Sequence, residues 1–154
     1  MFATEMFSLT AHDDIRTAQY KNMICSKRLI CKLLKAYQEG NVEVRTESKD
    51  FDSWYQKRTA VDGKVDFHNR TRDIHNLIRG VAAPFPGAFA YVGEDKITIW
   101  KAQPFDEMID FSEYAPGEVV DVFDGKLVVR TVDGSLLIEE YEGNREIVPG
   151  DILA

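Results

Sequence analysis

The sequence has little cysteine, no clustered histidine and no long apolar run, and each shortage removes a class of protein. Its two cysteines, Cys25 and Cys31, lie six positions apart in a helical pattern. At about 100° per residue that spacing sets them on separate faces, so they are read as reduced, helix-packing thiols rather than a disulfide. Neither has a histidine nearby for a zinc site, and no metal is expected. The histidines, His12, His68 and His75, are scattered, and each reads as a surface or helix-packing residue. The longest uncharged run, Gly80 to Gly93, is broken by two prolines and Gly87. It falls short of the roughly 18 apolar residues a membrane span needs. Met1 to Ala11 carries Glu5 and lacks a basic start, so a signal peptide is not expected either, and the expected location is cytoplasmic. There is no G-x-G-x-x-G, Walker loop, H-E-x-x-H, C-x-x-C or G-x-S-x-G, and no catalytic residue is assigned.

Positive charge is missing from the last third. Residues 101–154 hold four basic against thirteen acidic residues, residues 41–100 hold nine of each, and residues 1–40 hold six basic and four acidic. Polynucleotide binding draws its affinity from clustered Lys and Arg, so the acidic third excludes a nucleic-acid partner on that surface. An OB-type single-strand binder is excluded on the same ground: the aromatics Trp100, Phe105, Phe111, Tyr114, Phe123 and Tyr141 are present, but a basic groove is not.

What is present reads as an ordinary globular chain of 154 residues, 44% hydrophobic and 29% charged, sized for one domain of about 90 to 100 residues plus an appendage. Phe2 to Leu9 reads as a short strand, with Thr10 or Asp13 capping the helix that follows. From Ile15 to Tyr37 the apolar positions recur mostly at three, four or seven, and Gly40 with Asn41 supplies the stop. Residues 41–65 show no sustained period and read as a linker. A second helix from Asn69 or Thr71 to Arg79 follows the i, i+3, i+4, i+7 template through Ile74, Leu77, Ile78 and Val81. The period then changes to two over Ala88–Val92, Lys96–Gln103, Glu118–Phe123, Lys126–Val132 and Ser135–Tyr141. The Asp124-Gly125 and Asp133-Gly134 pairs are hairpin signals. The fold expected is α+β: an N-terminal strand and long helix, a linker, then a helix leading into a small OB-like antiparallel barrel.

Three cations are candidates for substrate binding. Lys57 and Arg58 adjoin Trp54 and Tyr55, a pairing that suits a sugar nucleotide and equally suits a linker clamped to a surface. Arg79 ends the second helix, where it complements the dipole or receives a phosphate or carboxylate. Between helix and first strand, Pro84-Phe-Pro-Gly87 has two prolines with restricted φ and a glycine free to take unusual backbone, which makes a rigid elbow.

These residues carry a resemblance. Ile74, Asn76, Ile78 and Arg79, then Pro84, Pro86, Gly87 and Phe89, then Ile97-Thr-Ile-Trp-Lys-Ala102 resemble the C-terminal domain of folate-dependent formyltransferases, of the methionyl-tRNA and UDP-aminoarabinose types. Lys57-Arg-Thr59 and Asp62-Gly-Lys-Val-Asp-Phe67 are similar to the same family's leading segment. Residues 2–40 are similar to the last strand and helix of its catalytic domain. The resemblance implies residues 1–40 as a remnant of that domain, 41–65 as linker and 66–154 as the OB-like C-terminal domain. In such enzymes an Asn, a His and an Asp of the N-terminal domain move the formyl group of 10-formyltetrahydrofolate to an amine. The chain begins just past the place of that Asp, so no cofactor is expected in this chain and no transfer by it alone. The implied acceptor is a sugar nucleotide rather than tRNA, and the implied partner is a second copy or the missing catalytic half. The other reading is a stand-alone, non-enzymatic binding or oligomerisation module.

Overall fold

The structure is a computed structural model that describes residues 3–43 and 55–154. It divides into two compact units, Met1–Lys57 and Arg58–Ala154. Phe2, Trp54 and the rest of residues 44–54 of the expected linker lie outside the described residues.

In the first unit, helix α1 spans Ile15–Gln38. Its N-cap is Asp14, not Thr10 or Asp13. The Asp14 carboxylate accepts from Thr17 N–H at 2.8 Å, and the Thr17 hydroxyl accepts from Asp14 N–H at 2.9 Å, a reciprocal capping box. Asp13 is occupied otherwise: its carboxylate accepts from Thr10 N–H at 2.7 Å and from Lys21 Nζ at 2.6 Å. The expected N-terminal strand does not form, since residues 3–10 join no ladder among the described residues. A strand needs a neighbouring edge for its backbone groups. Here side chains of α1 hold the segment instead, with Lys21 Nζ donating to Ser8 O at 3.0 Å and Glu5 accepting from Arg28 and Lys32. Cys25, on the same face as Lys21 and Arg28, is buried, whereas Cys31 is exposed rather than packed. The 240° between them decides that difference. Met23, Ile24, Ile30, Leu33 and Leu34 are exposed as well.

The second unit opens with a 3₁₀ turn, Ala60–Gly63, and helix α2, Thr71–Val81. Strands β1 (Ala88–Val92), β2 (Asp95–Asp106), β3 (Val119–Phe123), β4 (Lys126–Thr131) and β5 (Gly134–Glu142) follow. They form one antiparallel sheet in the order β1-β2-β5-β4-β3. The meander β3-β4-β5 receives β2 beside β5 through the long connection 107–118, which is a Greek key. Inward residues of every strand, among them Ala90, Ile99, Val119, Leu127 and Ile138, join Ile74 and Ile78 of α2 in one core. Each isoleucine so buried contributes about 1.5–3 kcal/mol.

Closure comes from residues outside the strands. Tyr91 of β1 exchanges both backbone hydrogen bonds with Ala154, at 2.8 and 2.9 Å. Leu153 N–H donates to Gly117 O and Val119 N–H to Asp151 O, each at 2.8 Å, so the C-terminal segment bridges the two edges of the sheet. Gly117, at φ +88°, is needed there because a Cβ would strike the Leu153 carbonyl. The hairpin at Asp124-Gly125 has φ of 50° and 72°, the double left-handed turn its sequence predicts. The second hairpin is displaced by one residue: Val132 and Asp133 make the turn, and Gly134 already pairs with Thr131. Gly134 serves by close approach, since a Cβ would lie 3.0 Å from Asp106 O and 3.2 Å from Thr71 Oγ1. Asp133 leaves its turn to cap α2, accepting from Thr71 N–H at 2.8 Å and Thr71 Oγ1 at 2.9 Å. The Arg70 side chain at the N-cap itself makes no such bond.

Candidate functional site

The proline elbow organises the most built part of the surface. Helix α2 stops at Val81, whose carbonyl accepts from Gly87 N–H at 3.0 Å, and the Ala83–Pro84 peptide is cis. Gly87 takes φ +84°, and a Cβ there would lie 2.8 Å from Thr98 Cγ2 and 2.9 Å from the Trp100 ring. A Cβ on Gly63 would lie 2.8 Å from Gly87 O. Two glycines therefore let the 3₁₀ turn, the elbow and β2 approach closely, and the Trp100 indole rests against that junction.

Trp100 owes its position to the backbone of β2. Ile99 pairs with Tyr141 and Lys101 with Glu140, so Trp100 is the extra residue of a β-bulge. A bulge bends its strand and re-aims the side chain it carries. Trp100 walls an open groove of about 620 Å³ together with Gly125, Glu139, Glu140, Tyr141, Glu142 and Gly143. Its Nε1 is buried and meets no acceptor among the described residues. Glu139 is held by Lys101 at 3.2 Å and Lys126 at 4.0 Å. Glu140 and Glu142 are exposed, with no ion pair among the described residues. Neighbouring strand β1 presents Phe89 edge-on to Tyr91, with Lys96 Nζ 4.4 Å from the Phe89 centroid and Lys64 Nζ 5.9 Å from that of Tyr91.

The cations singled out by sequence do not line this groove. Lys57 and Arg58 are exposed. The Asp62 carboxyl sits below its ordinary pKa, first through the Thr59 N–H it accepts at 2.6 Å and least through the Arg58 charge. Arg79 is half-buried in the last turn of α2, where its Nε donates to Asn76 Oδ1 at 2.9 Å. Desolvation, then the Arg79 charge, lowers the pKa of half-buried His75. Ile74 and Ile78 are core residues, Pro84 and Pro86 are exposed, and Phe89 is half-buried. His12 is exposed, and His68 Nδ1 lies 3.1 Å from Asp66 Oδ1. Among the described residues no group of three or more His, Cys, Asp or Glu is placed to hold a metal. No described helix is long and apolar enough to cross a membrane. Sequence reasoning took Trp100 as a barrel aromatic and as part of the Ile97–Ala102 segment, assigned it no site role, and missed Glu140 and Glu142. The bulge that gathers them leaves no periodic signal.

Residues 57–153, covering the 3₁₀ turn, α2, the elbow and the whole closed sheet, match the family of the formyl transferase C-terminal domain. The chain belongs to that family. Among solved structures, this formyltransferase domain is similar to HypX from Aquifex aeolicus in complex with tetrahydrofolic acid, with a TM-score of 0.70, 18% identity, and coverage of 94% of this chain and 24% of that one. A second HypX crystal structure, of a four-site variant, gives a TM-score of 0.68 at 20% identity over 94% of this chain and 25% of that one. At such identity the likeness is one of fold. The chain described here spans about a quarter of the length of HypX.

Proposed function

We propose that this chain supplies the C-terminal portion of a 10-formyltetrahydrofolate-dependent formyltransferase that N-formylates an amine on a sugar nucleotide, and that residues 1–154 do not transfer the formyl group alone. Residues 1–40 are the end of the catalytic domain in this reading, 41–65 a linker and 66–154 the C-terminal domain. The cofactor binds to the catalytic half, not to this chain. The observation that carries the reading is the family match over residues 57–153. A sugar nucleotide is favoured over methionyl-tRNA because residues 101–154 hold thirteen acidic against four basic residues, which repels a phosphate backbone. The histidines support the non-catalytic reading: His12 is exposed, His68 is bonded to Asp66, and His75 is packed on α2 beside Arg79. The protein works in the cytoplasm, paired with a catalytic half or with a second copy. The second reading, a stand-alone binding or oligomerisation module, is favoured by one feature, the exposed Met23, Ile24, Ile30, Leu33 and Leu34 of α1.

The test is an assay of tetrahydrofolate release and amine formylation with 10-formyltetrahydrofolate. A UDP-amino-sugar and methionyl-tRNA are offered separately, with and without a formyltransferase catalytic half added in trans. No turnover is expected from the chain alone, and added chain should raise the catalytic half's turnover of the UDP-amino-sugar. Unaided turnover, or stimulation seen only with tRNA, overturns the reading.

A further inference from the structure

We propose that helix α1 of one copy docks on the acidic, apolar surface around Phe105 and Met108 of a second copy, so that two chains pair reciprocally. The inference rests on the pairing with a second copy named above and assigns the surfaces that meet. It is read by assembly rather than by formyl transfer.

The helix supplies one half of the contact. At about 100° per residue, Met23, Ile30, Leu33, Leu34 and Tyr37 fall within an arc of about 100°. An apolar stripe of that width is what a helix turns towards a core. Here all five side chains are exposed, Tyr37 by 77%. Lys21, Arg28 and Lys32, which bind the N-terminal segment, lie on the opposite side, so that segment leaves the stripe uncovered.

Charge selects what covers it. The 24 residues of α1 include six basic and no acidic side chains. Arg16 and Lys27 border the stripe, are exposed and make no ion pair among the described residues. A second α1 laid on the first would bring cations against cations, a juxtaposition that interfaces avoid. The partner surface must be apolar and acidic.

Such a surface lies where β2 ends. Residues 104–118 hold five acidic and no basic side chains. Phe105 meets Phe123 of β3 with ring centroids 6.4 Å apart, and both are exposed. Asp106 Oδ1 accepts from Met108 N–H at 2.7 Å and from Ile109 N–H at 2.6 Å, which fixes a turn directly after Phe105. That turn presents Ile109 and Met108, the latter 93% exposed. Arg130 Nε donates to Phe111 O at 3.1 Å and ties the same connection to β4, so the surface is shaped before a partner arrives. Glu107 and Glu113 are exposed without ion pairs among the described residues. An apolar patch among carboxylates matches an apolar stripe among cations. Every copy carries both surfaces, so a reciprocal exchange covers all four and closes by two-fold symmetry.

The test is sedimentation velocity of the full chain across the micromolar range, where a monomer–dimer equilibrium is expected. Two variants are compared with it: Arg16→Glu with Lys27→Glu reverses the helix, and Glu107→Lys with Glu113→Lys reverses the patch. All four positions are exposed, and circular dichroism should match the wild type. Each variant alone should dimerise about tenfold or more weakly. Mixed in equal amounts the two should recover the dimer, because the reversed helix then meets the reversed patch and the native helix the native patch. A chain that stays monomeric overturns both this inference and the pairing on which it rests. A patch variant that dimerises as tightly as the wild type, or a mixture no tighter than its components, overturns this inference and leaves pairing by other surfaces standing.

Discussion

Replacing Gly87 with alanine adds one methyl group at the junction of elbow and barrel, and the structure sets its cost. The residue sits at φ +84°, where an L side chain is strained by about 1–2 kcal/mol. The added Cβ would also lie 2.8 Å from Thr98 Cγ2 and 2.9 Å from the Trp100 ring, and overpacking of this kind costs about 1–3 kcal/mol. Together these give about 2–5 kcal/mol, a large share of the roughly 5–15 kcal/mol that holds a domain folded. Gly93 is the internal control: its φ is +63°, but a Cβ there would meet nothing within 4 Å. Gly93→Ala should therefore cost only the strain, about 1–2 kcal/mol. With a urea m-value of about 2 kcal/mol/M, midpoints should fall by about 1–2.5 M for Gly87→Ala and about 0.5–1 M for Gly93→Ala. Circular dichroism and tryptophan fluorescence read both. On a Thr98→Ala background part of the clash is gone, and Gly87→Ala should be less costly by about 1 kcal/mol. Equal midpoints for the two glycine variants would refute the steric argument and with it the seating of Trp100.

Other consequences follow from the same framework. Asp133→Asn weakens the carboxylate that caps α2 through Thr71, at a cost of about 1 kcal/mol at neutral pH. The Thr71 N–H holds the Asp133 carboxyl below its ordinary pKa, so its contribution is full above about pH 4 and lost as pH falls through the folded-state value. Urea midpoints at pH 7 and pH 3 should thus differ less in Asp133→Asn than in the wild type, and an equal difference would remove the carboxylate from the account. Leu153→Ala empties a fully buried position in the closing segment and should cost about 2–4 kcal/mol by urea titration. Deleting residues 151–154 removes the partners of the Tyr91 and Val119 amides, and both should lose protection in hydrogen exchange. Unchanged protection would show that the barrel closes by another route.

Several elements were legible because they depend on neighbours in sequence. The 3.6-residue period gave α2 to within two residues at its C-terminus, since Ile74 and Ile78 alone decide which face is buried. Asp124-Gly125 gave its hairpin because the left-handed turn is a property of two residues. The failures share the opposite cause. Asp13 and Asp14 are both good caps, and Thr10 together with Lys21, eight residues on, draws Asp13 away. The N-terminal strand was written in a β-prone pattern, but a strand is completed by a neighbour's edge. Lys57, Arg58 and Arg79 look alike in a sequence as free cations, yet Arg79 is bonded to Asn76 and none of the three reaches the groove at Trp100.

The proline elbow, the helix before it and the alternating strands after it were determined by the sequence alone, as was membership of the formyltransferase family through the order of those residues. All are local: fixed φ, one apolar face, two-residue turns. Tertiary structure decided the closure of the barrel by residues 151–154, the bulge at Trp100 and the gathering of Glu140 and Glu142 beside it. Each of these joins positions thirty or more residues apart, or sets the register between strands. That depends on how neighbouring backbones meet, a quantity that no single segment carries.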